Sequence, residues 1–236
     1  MPFLRVLAVA AVVLATAPGQ ADLTPFRNLN GTFHIDLPAG WRQVAPNEAR
    51  RIGELPGAPR RLGLAQPRHF YPVGPVEQWL AGDFRGPWLY IVEQNDEWYI
   101  EDDFAVQLTA MWQAESEQSG ERHALTGIVR ADVGAQQVGA VLAVRTTTPA
   151  GGKAAVQSLD VHVPAGGSQL TLSFCCAPDE FAAREPEFRQ WLATLTFARV
   201  RKGQASLGDR LWTPVLTGAG VGLILLLLYK HNRGRR

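Results

Sequence analysis

Four side chains in this sequence are of types that could bind a transition metal. His34 and Asp36 alternate along one predicted strand, and Asp160 and His162 alternate along another. Side chains two positions apart in a strand share a face, so each pair would point to one side of its sheet. Imidazole and carboxylate suit zinc or manganese. The four form a metal site only if their strands are neighbours; otherwise they are polar residues on a solvated sheet face or under a helix.

No other pattern indicates catalysis. The sequence has no G-x-S-x-G, Walker, H-E-x-x-H or C-x-x-C motif. Its two cysteines, Cys175 and Cys176, are adjacent and form no disulfide framework. In a strand Cys176 would point inward and Cys175 outward, as plain small hydrophobic residues or as a strained vicinal disulfide. We therefore expect no cofactor and no enzymatic activity, with an envelope hydrolase or metal-dependent enzyme as the alternative.

A long apolar run near the C-terminus would position everything that precedes it. Residues 211–229 carry no charge and, as a helix, span roughly 28 Å, close to the hydrocarbon thickness of a bilayer. The basic residues of 230–236 should stay in the cytoplasm. We expect one transmembrane helix, in which Gly218 and Gly222 allow close approach of a second copy or of a partner helix.

The start of the chain has the organisation of an export signal. Arg5 is followed by an apolar stretch, and Gly19-Gln20-Ala21 offers a small-x-small cleavage site. Signal and anchor together predict a single-pass protein of the bacterial inner membrane with its N-terminal domain in the periplasm or outside. The expected organisation is signal peptide 1–21, exported domain 22–200, linker 201–210, transmembrane helix 211–229 and cytoplasmic basic tail 230–236.

The charge of the exported part argues against nucleic acid as a partner. Of the 23 basic residues, one lies in the signal and four lie in the tail. The exported part therefore contains 18 basic residues and all 22 acidic residues. A nucleic-acid-binding domain typically has an excess of basic residues, which this part does not have.

Alternating hydrophobicity predicts strands over most of the exported domain. In residues 32–37, Phe33, Ile35 and Leu37 would face the core. Short Gly- or Pro-containing turns separate the last three strands, which indicates an antiparallel meander. In this meander, Ser158, Asp160 and His162 are expected to face outward. The strands of this meander are predicted at 124–133, 137–147, 155–163 and 169–176, and a separate strand is predicted at 88–92.

Two helices are expected to pack on this sheet. Residues 103–119 carry an apolar face and end at Gly120, and a second helix should begin at Pro186 and run to 194. The predicted buried stripes are Phe104, Leu108, Met111 and Trp112 on the first helix, and Phe188, Trp191, Leu192 and Leu195 on the second. Six acids between Glu93 and Asp103 precede the first helix, where its dipole favours negative charge; a calcium site is the alternative.

Residues 42–87 have the weakest pattern in the chain. They are rich in Pro, Gly and Arg, and they contain the pairs Arg50-Arg51 and Arg60-Arg61. The pairs indicate either a solvated loop face or a contact with an anionic ligand or lipid headgroup.

The two ends of the domain resemble a PsbP-like domain. The opening is Phe33-x-Ile35-x-Leu37-Pro38-x-Gly40-Trp41, and the ending is the strand 170–174 followed by the stripe of the second helix and Phe197. The resemblance covers roughly residues 32–197 and implies an α+β fold: an antiparallel sheet of about six strands with helices on its faces, an α/β/α sandwich. Members of that family are mostly non-enzymatic partners of larger assemblies, so the resemblance carries over no catalytic residue.

Together these features predict a membrane-anchored, extracytoplasmic binding or assembly module. We expect a protein partner, with lipid as the other partner class for the domain. The alternative is an accessory subunit of a membrane complex that docks through its transmembrane helix.

Overall fold

The structure, a computed structural model, describes residues 22–94, 103–150, 155–165 and 168–198. The predicted signal peptide, linker, transmembrane helix and tail lie outside the described residues, and so do Gly218 and Gly222. Among the described residues, no helix combines the length and the apolar character needed to cross a membrane.

The described part of the chain forms two antiparallel sheets. The small sheet has the order β1-β2-β10, and the large sheet has the order β3-β4-β5-β9-β8-β7-β6. The strands are β1 (Leu23–Arg27), β2 (Phe33–Pro38), β3 (Arg42–Gln43), β4 (Phe70–Gly74), β5 (Trp88–Gln94), β6 (Arg122–Val133), β7 (Val138–Thr148), β8 (Val156–Ala165), β9 (Ser168–Cys176) and β10 (Thr196–Phe197).

Four helices and one 3-10 turn accompany the strands in the same part of the chain. The helices are α1 (Pro46–Gly53), α2 (Val76–Leu80), α3 (Phe104–Ser119) and α4 (Phe181–Ala193), and the 3-10 turn is Arg60–Gly63. The predicted meander β6 to β9 and the strand β5 are confirmed within a few residues. The expected number of about six strands is too low, because short edge strands and the region 42–87 add β1, β3, β4 and β10.

The large sheet is the middle layer of the domain. One of its faces packs against β2 and α4 in a core that includes Ile35, Leu172 and Phe188, all fully buried. The other face is covered by α1, the 3-10 turn and α2 at one end and by α3 at the other. This arrangement is an α+β sandwich, as the sequence predicts.

Residues 42–87, where no element was predicted, are held by a side-chain hydrogen bond at the start of α1 and by a close backbone contact at its end. Glu48 accepts a hydrogen bond from the Ala45 N–H (2.9 Å) at the start of α1. A Cβ on Gly63 would lie 2.9 Å from the Gly53 Cα, so α1 and the 3-10 turn meet at a distance that only glycine allows. This contact fixes the position of Arg60 and Arg61.

The second predicted helix begins earlier than expected. α4 starts at Phe181, and Pro186 lies inside it, so the start predicted at Pro186 is wrong. A proline inside a helix removes one backbone N–H donor. Phe181 is buried with its ring centroid 6.2 Å from that of Phe188, so packing of the first turn offsets the missing bond. Phe188, Trp191 and Leu192 of the predicted stripe are buried on this helix, whereas Leu195 is buried but follows the helix end at Ala193.

The first helix, α3, agrees with its prediction apart from one residue. Gly120 ends it in a left-handed conformation (φ +70°), and Phe104, Leu108 and Trp112 are buried. Met111, predicted on the apolar face, is 49 % exposed. Positions 104, 108 and 112 repeat every four residues, so the stripe in contact with the sheet is too narrow to include position 111.

A buried carboxylate joins the two sheets. Glu93 on β5 accepts hydrogen bonds from Asn28 Nδ2 (3.0 Å), in the turn after β1, and from the hydroxyl of Tyr71 on β4 (2.8 Å). Burial, followed by the Glu93 charge, raises the pKa of Tyr71, so its hydroxyl stays a donor. The acids at 96, 97, 101 and 102 lie outside the described residues.

Removing the Tyr71 hydroxyl should weaken the domain. Tyr71→Phe deletes a buried hydrogen bond to a charged acceptor and should lower the free energy of unfolding by about 1–3 kcal/mol. Tyr90 is the matched control, because it is also a buried sheet tyrosine but its hydroxyl has no hydrogen bond within the described residues. Urea unfolding of both variants tests this; equal losses for Tyr71→Phe and Tyr90→Phe would contradict it.

A candidate binding cavity

A cavity of about 650 Å³ opens at the end of the large sheet near α1 and α2. Its wall is formed by the 3-10 turn, by the loop 82–86 and by Trp88 at the start of β5. Ligand pockets typically measure about 300–1,000 Å³ and are mostly apolar with a few polar groups. The cavity is therefore large enough for a small organic molecule.

The floor of the cavity consists of side chains from the face of the sheet away from α4. Arg145 and Thr147 come from β7, and Cys175 comes from β9. All three are buried, with 2 %, 8 % and 1 % of their surface exposed. Because the floor belongs to central strands of the sheet, its geometry is set by the backbone ladder rather than by a loop.

An ion pair holds the charged group in the floor. The Arg145 guanidinium donates to both carboxylate oxygens of Asp160 (2.5 and 3.1 Å) and to the Thr147 hydroxyl, and its central carbon lies 4.1 Å from the centroid of the Trp112 ring. Although complete burial opposes ionisation, the charge of Arg145 holds the pKa of Asp160 at about 2. Both charges are thus satisfied without solvent.

A second arginine, Arg61, lies beside this pair and has no ion-pair partner within the described residues. The central guanidinium carbon of Arg61 lies 5.2 Å from the Tyr90 ring centroid and 5.3 Å from that of Trp112. Burial, and next the nearby Arg145, lowers the pKa of Arg61. Within the described residues its guanidinium makes no hydrogen bond and no ion pair, so the aromatic rings are its contacts.

Two histidines next to the ion pair are held neutral. His162 lies under Phe104 of α3, with a ring-to-ring distance of 5.7 Å, and contacts the Thr171 hydroxyl at 3.1 Å. His123 contacts the Thr147 hydroxyl at 3.0 Å. Burial lowers the pKa of each histidine to about 4; the Asp160 charge opposes this effect, and the Arg145 charge adds to it.

The two cysteines point to opposite faces, as predicted, but neither is exposed. Both are free thiols; Cys176 lies in the core beneath α4, and Cys175 lies in the cluster beneath α1 and α2. Burial raises the pKa of Cys175 and raises that of Cys176 to about 12. Cys175 is buried because the helices of the 42–87 region cover that face.

The four candidate metal ligands are not brought together. His34 and Asp36 lie on β2 in the small sheet, whereas Asp160 and His162 lie on β8 in the large sheet. His34 contacts the Thr196 hydroxyl at 2.6 Å. Within the described residues, no group of three or more histidine, cysteine or acidic side chains lies close enough together to hold a metal ion.

The prediction that Ser158, Asp160 and His162 face solvent is wrong. These side chains are 1 %, 0 % and 2 % exposed. Their alternation with Leu159 and Val161 correctly separates two faces of β8, but both faces are covered. α3 packs on the polar face, and the arginine on the neighbouring strand supplies the charge that the buried aspartate needs.

We compared the sequence and the structure with known proteins. No family model and no curated protein matches this sequence. Among solved structures, the cyanobacterial PsbP (CyanoP) of Synechocystis sp. PCC 6803 matches with a TM-score of 0.50 and 12 % identity, covering 78 % of this chain and 98 % of CyanoP. A Pseudomonas aeruginosa protein of unknown function, PA94, has a TM-score of 0.38 and 15 % identity, covering 76 % of this chain and all of that one. The CyanoP match shows a PsbP-like fold for the domain.

The residues that define the cavity were only partly found from the sequence. The pair Arg60-Arg61 predicts an anionic ligand as one explanation, but it lies in a region without predicted elements. Arg145 was missed, although it is a single charge at the end of the apolar run Ala140–Val144. A charged residue within such a strand, matched by Asp160 on the next, is a signal for a buried ion pair.

The stability of the domain should fall with decreasing pH already in the range in which histidines, rather than most carboxylates, take up protons. An unfolded histidine binds a proton below about pH 6.5, whereas folded His123 and His162 bind one only near pH 4. The unfolded state therefore binds more protons in this window, and stability should fall as the pH drops from 6.5 to 4. Urea midpoints at pH 7, 5.5 and 4.5 measure this, and His162→Gln should flatten the dependence. An unchanged slope in that variant would contradict the assignment.

Removing one partner of the ion pair should destabilise the domain more than replacing both partners with apolar residues. Asp160→Asn leaves the buried Arg145 charge without a counter-ion and should lower the unfolding free energy by about 3–5 kcal/mol. The double variant Arg145→Met/Asp160→Leu removes both charges, and its unfolding free energy should fall by clearly less than that of Asp160→Asn. Chemical unfolding of wild type and both variants is the measurement, and an equal or larger loss in the double variant would refute this account of the pair.

Proposed function

We propose that this chain is a membrane-anchored, extracytoplasmic binding module without enzymatic activity. The observation that carries this proposal is the cavity beside Arg61, whose wall contains aromatic rings and arginines and whose floor lies on inner strands of the large sheet. The domain binds its ligand there, and a partner protein at the membrane recognises the ligand-bound domain.

The chemistry of the floor supports binding more than catalysis. The Cys175 thiol stays protonated because burial raises its pKa, so it supplies no thiolate nucleophile. Both oxygens of Asp160 accept hydrogen bonds from Arg145, which leaves this carboxylate committed to one partner. Groups fixed in this way shape a binding surface and set its potential.

The sequence supports the location. The uncharged run 211–229 and the basic residues that follow it suit a single span with a cytoplasmic tail, and residues 1–21 suit an export signal. The linker 201–210 then tethers the domain within about ten residues of the bilayer. A ligand or partner protein at the outer face of the inner membrane is consequently within reach of the cavity.

Docking through the membrane helix is the second candidate function. Gly218 and Gly222 form a G-x-x-x-G pair, which favours close packing of two transmembrane helices. In that case the domain is accessory, and the partner recognises the span.

A comparison of three chains separates the two functions. The full chain, a version ending at Arg210 and the variant Gly222→Ile are each used to capture partners from detergent-solubilised membranes. We expect the shortened chain and Gly222→Ile to keep the partner, because binding belongs to the domain. Loss of the partner from both would contradict the binding-module function and support docking through the helix.

A further inference from the structure

Three of the four arginines that line the cavity are neutralised by neighbouring carboxylates. Arg145 pairs with Asp160, Arg85 pairs with Asp83 (2.9 Å), and Arg60 lies 3.7 Å from Glu121. The fourth, Arg61, has no carboxylate within ion-pair distance in the described part of the chain. Within the described residues, Arg61 is therefore the one arginine of the cavity without an ion-pair partner.

The surroundings of Arg61 make that cation receptive to an anion. Aromatic rings contact it, but ring faces do not satisfy the five N–H donors of a guanidinium. Burial and the charge of Arg145 both disfavour its charged form. Arg61 is half-buried, and an anion that entered the cavity would supply hydrogen-bond acceptors and a paired negative charge in one step.

The type of anion follows from the geometry of the group and from the lining. A guanidinium is a planar fork that matches the two oxygens of a carboxylate. A single uncompensated charge suits a monoanion better than a dianionic phosphate group. The apolar part of the lining, which includes Ala58, Phe84, Trp88 and Val156, suits a hydrocarbon or aromatic body.

We propose that the cavity binds a small organic monocarboxylate, whose carboxylate pairs with Arg61 and whose apolar body lies against Phe84 and Trp88. This proposal rests on the proposed binding function of the cavity and names the class of its ligand. The volume of about 650 Å³ admits a molecule with an aromatic ring or a short alkyl chain.

Titration calorimetry on the full chain in lipid nanodiscs at pH 7.5 tests the class of ligand. The probes are trans-cinnamate and hexanoate, each paired with its neutral amide, and inorganic phosphate. We expect the acids to bind about 10- to 100-fold more tightly than their amides, because only the acids offer a charged acceptor to Arg61. Phosphate should bind weakly or not at all.

Variants locate the binding and identify the arginine. Arg61→Gln should weaken acid binding about 10- to 100-fold, and Arg61→Lys should weaken it less, since it keeps the charge but loses the fork. Arg50→Gln, on the exposed side of α1, is the matched control and should bind as wild type does. Ala177→Trp fills the mouth of the cavity and should abolish binding, whereas Ala183→Trp on the exposed face of α4 should not.

Several results would overturn the proposal. Equal binding of acids and amides would make the cavity a site for neutral apolar molecules, and preferred binding of phosphate would make it a phosphate site. Acid binding that survives Ala177→Trp or Arg61→Gln would place it elsewhere, and no binding of either acid to wild type would exclude monocarboxylates of this size. The capture experiment with the chain ending at Arg210 has an outcome that does not depend on these results. A wrong ligand class is therefore distinguishable from a wrong binding function.

Discussion

The buried ion pair between Arg145 and Asp160 is the interaction on which the cavity depends. Two charges in the centre of a sheet must satisfy each other, since removal from water costs several kcal/mol per ion. The pair does so with two hydrogen bonds across β7 and β8, and Trp112 lies on the arginine from the α3 side. It therefore fixes the floor of the cavity and gives α3 a specific place on the sheet.

The electrostatics of the cavity follow from the same pair. Arg145 is neutralised locally, yet its charge still contributes to the lowered pKa values of Arg61, His123 and His162. Burial is the main cause of the lowered histidine pKa values, and it keeps both imidazoles neutral at physiological pH. Arg61 has no ion-pair partner within the described residues, and this is the basis of the proposed binding of a negatively charged ligand.

Much of the framework could be predicted from the sequence, because its signals are local. The alternation of Phe33, Ile35 and Leu37 identified β2, and short turns between strands identified the meander. Alternation, however, reports only that a strand has two different faces. It does not report whether a helix covers the second face, and for that reason Asp160 and His162 were placed in solvent.

The cavity itself depends on contacts between distant parts of the chain. Arg61 comes from a 3-10 turn whose place is set by the contact between Gly53 and Gly63, and Arg145 comes from a strand more than eighty residues away. No local pattern reports that these side chains share Trp112 as a contact. The PsbP-like fold supplies the sheet that carries them, while the cavity wall comes from the short elements of 42–87 that the sequence pattern left open.

The central claim is that the cavity holds a ligand in the native protein. Native mass spectrometry of the full chain, isolated from its own host membranes, measures this directly. We expect a bound small molecule that is lost on unfolding, present in wild type and in Ala183→Trp, and absent from Ala177→Trp. The mass of the bare chain in all three, with each folded, would contradict it.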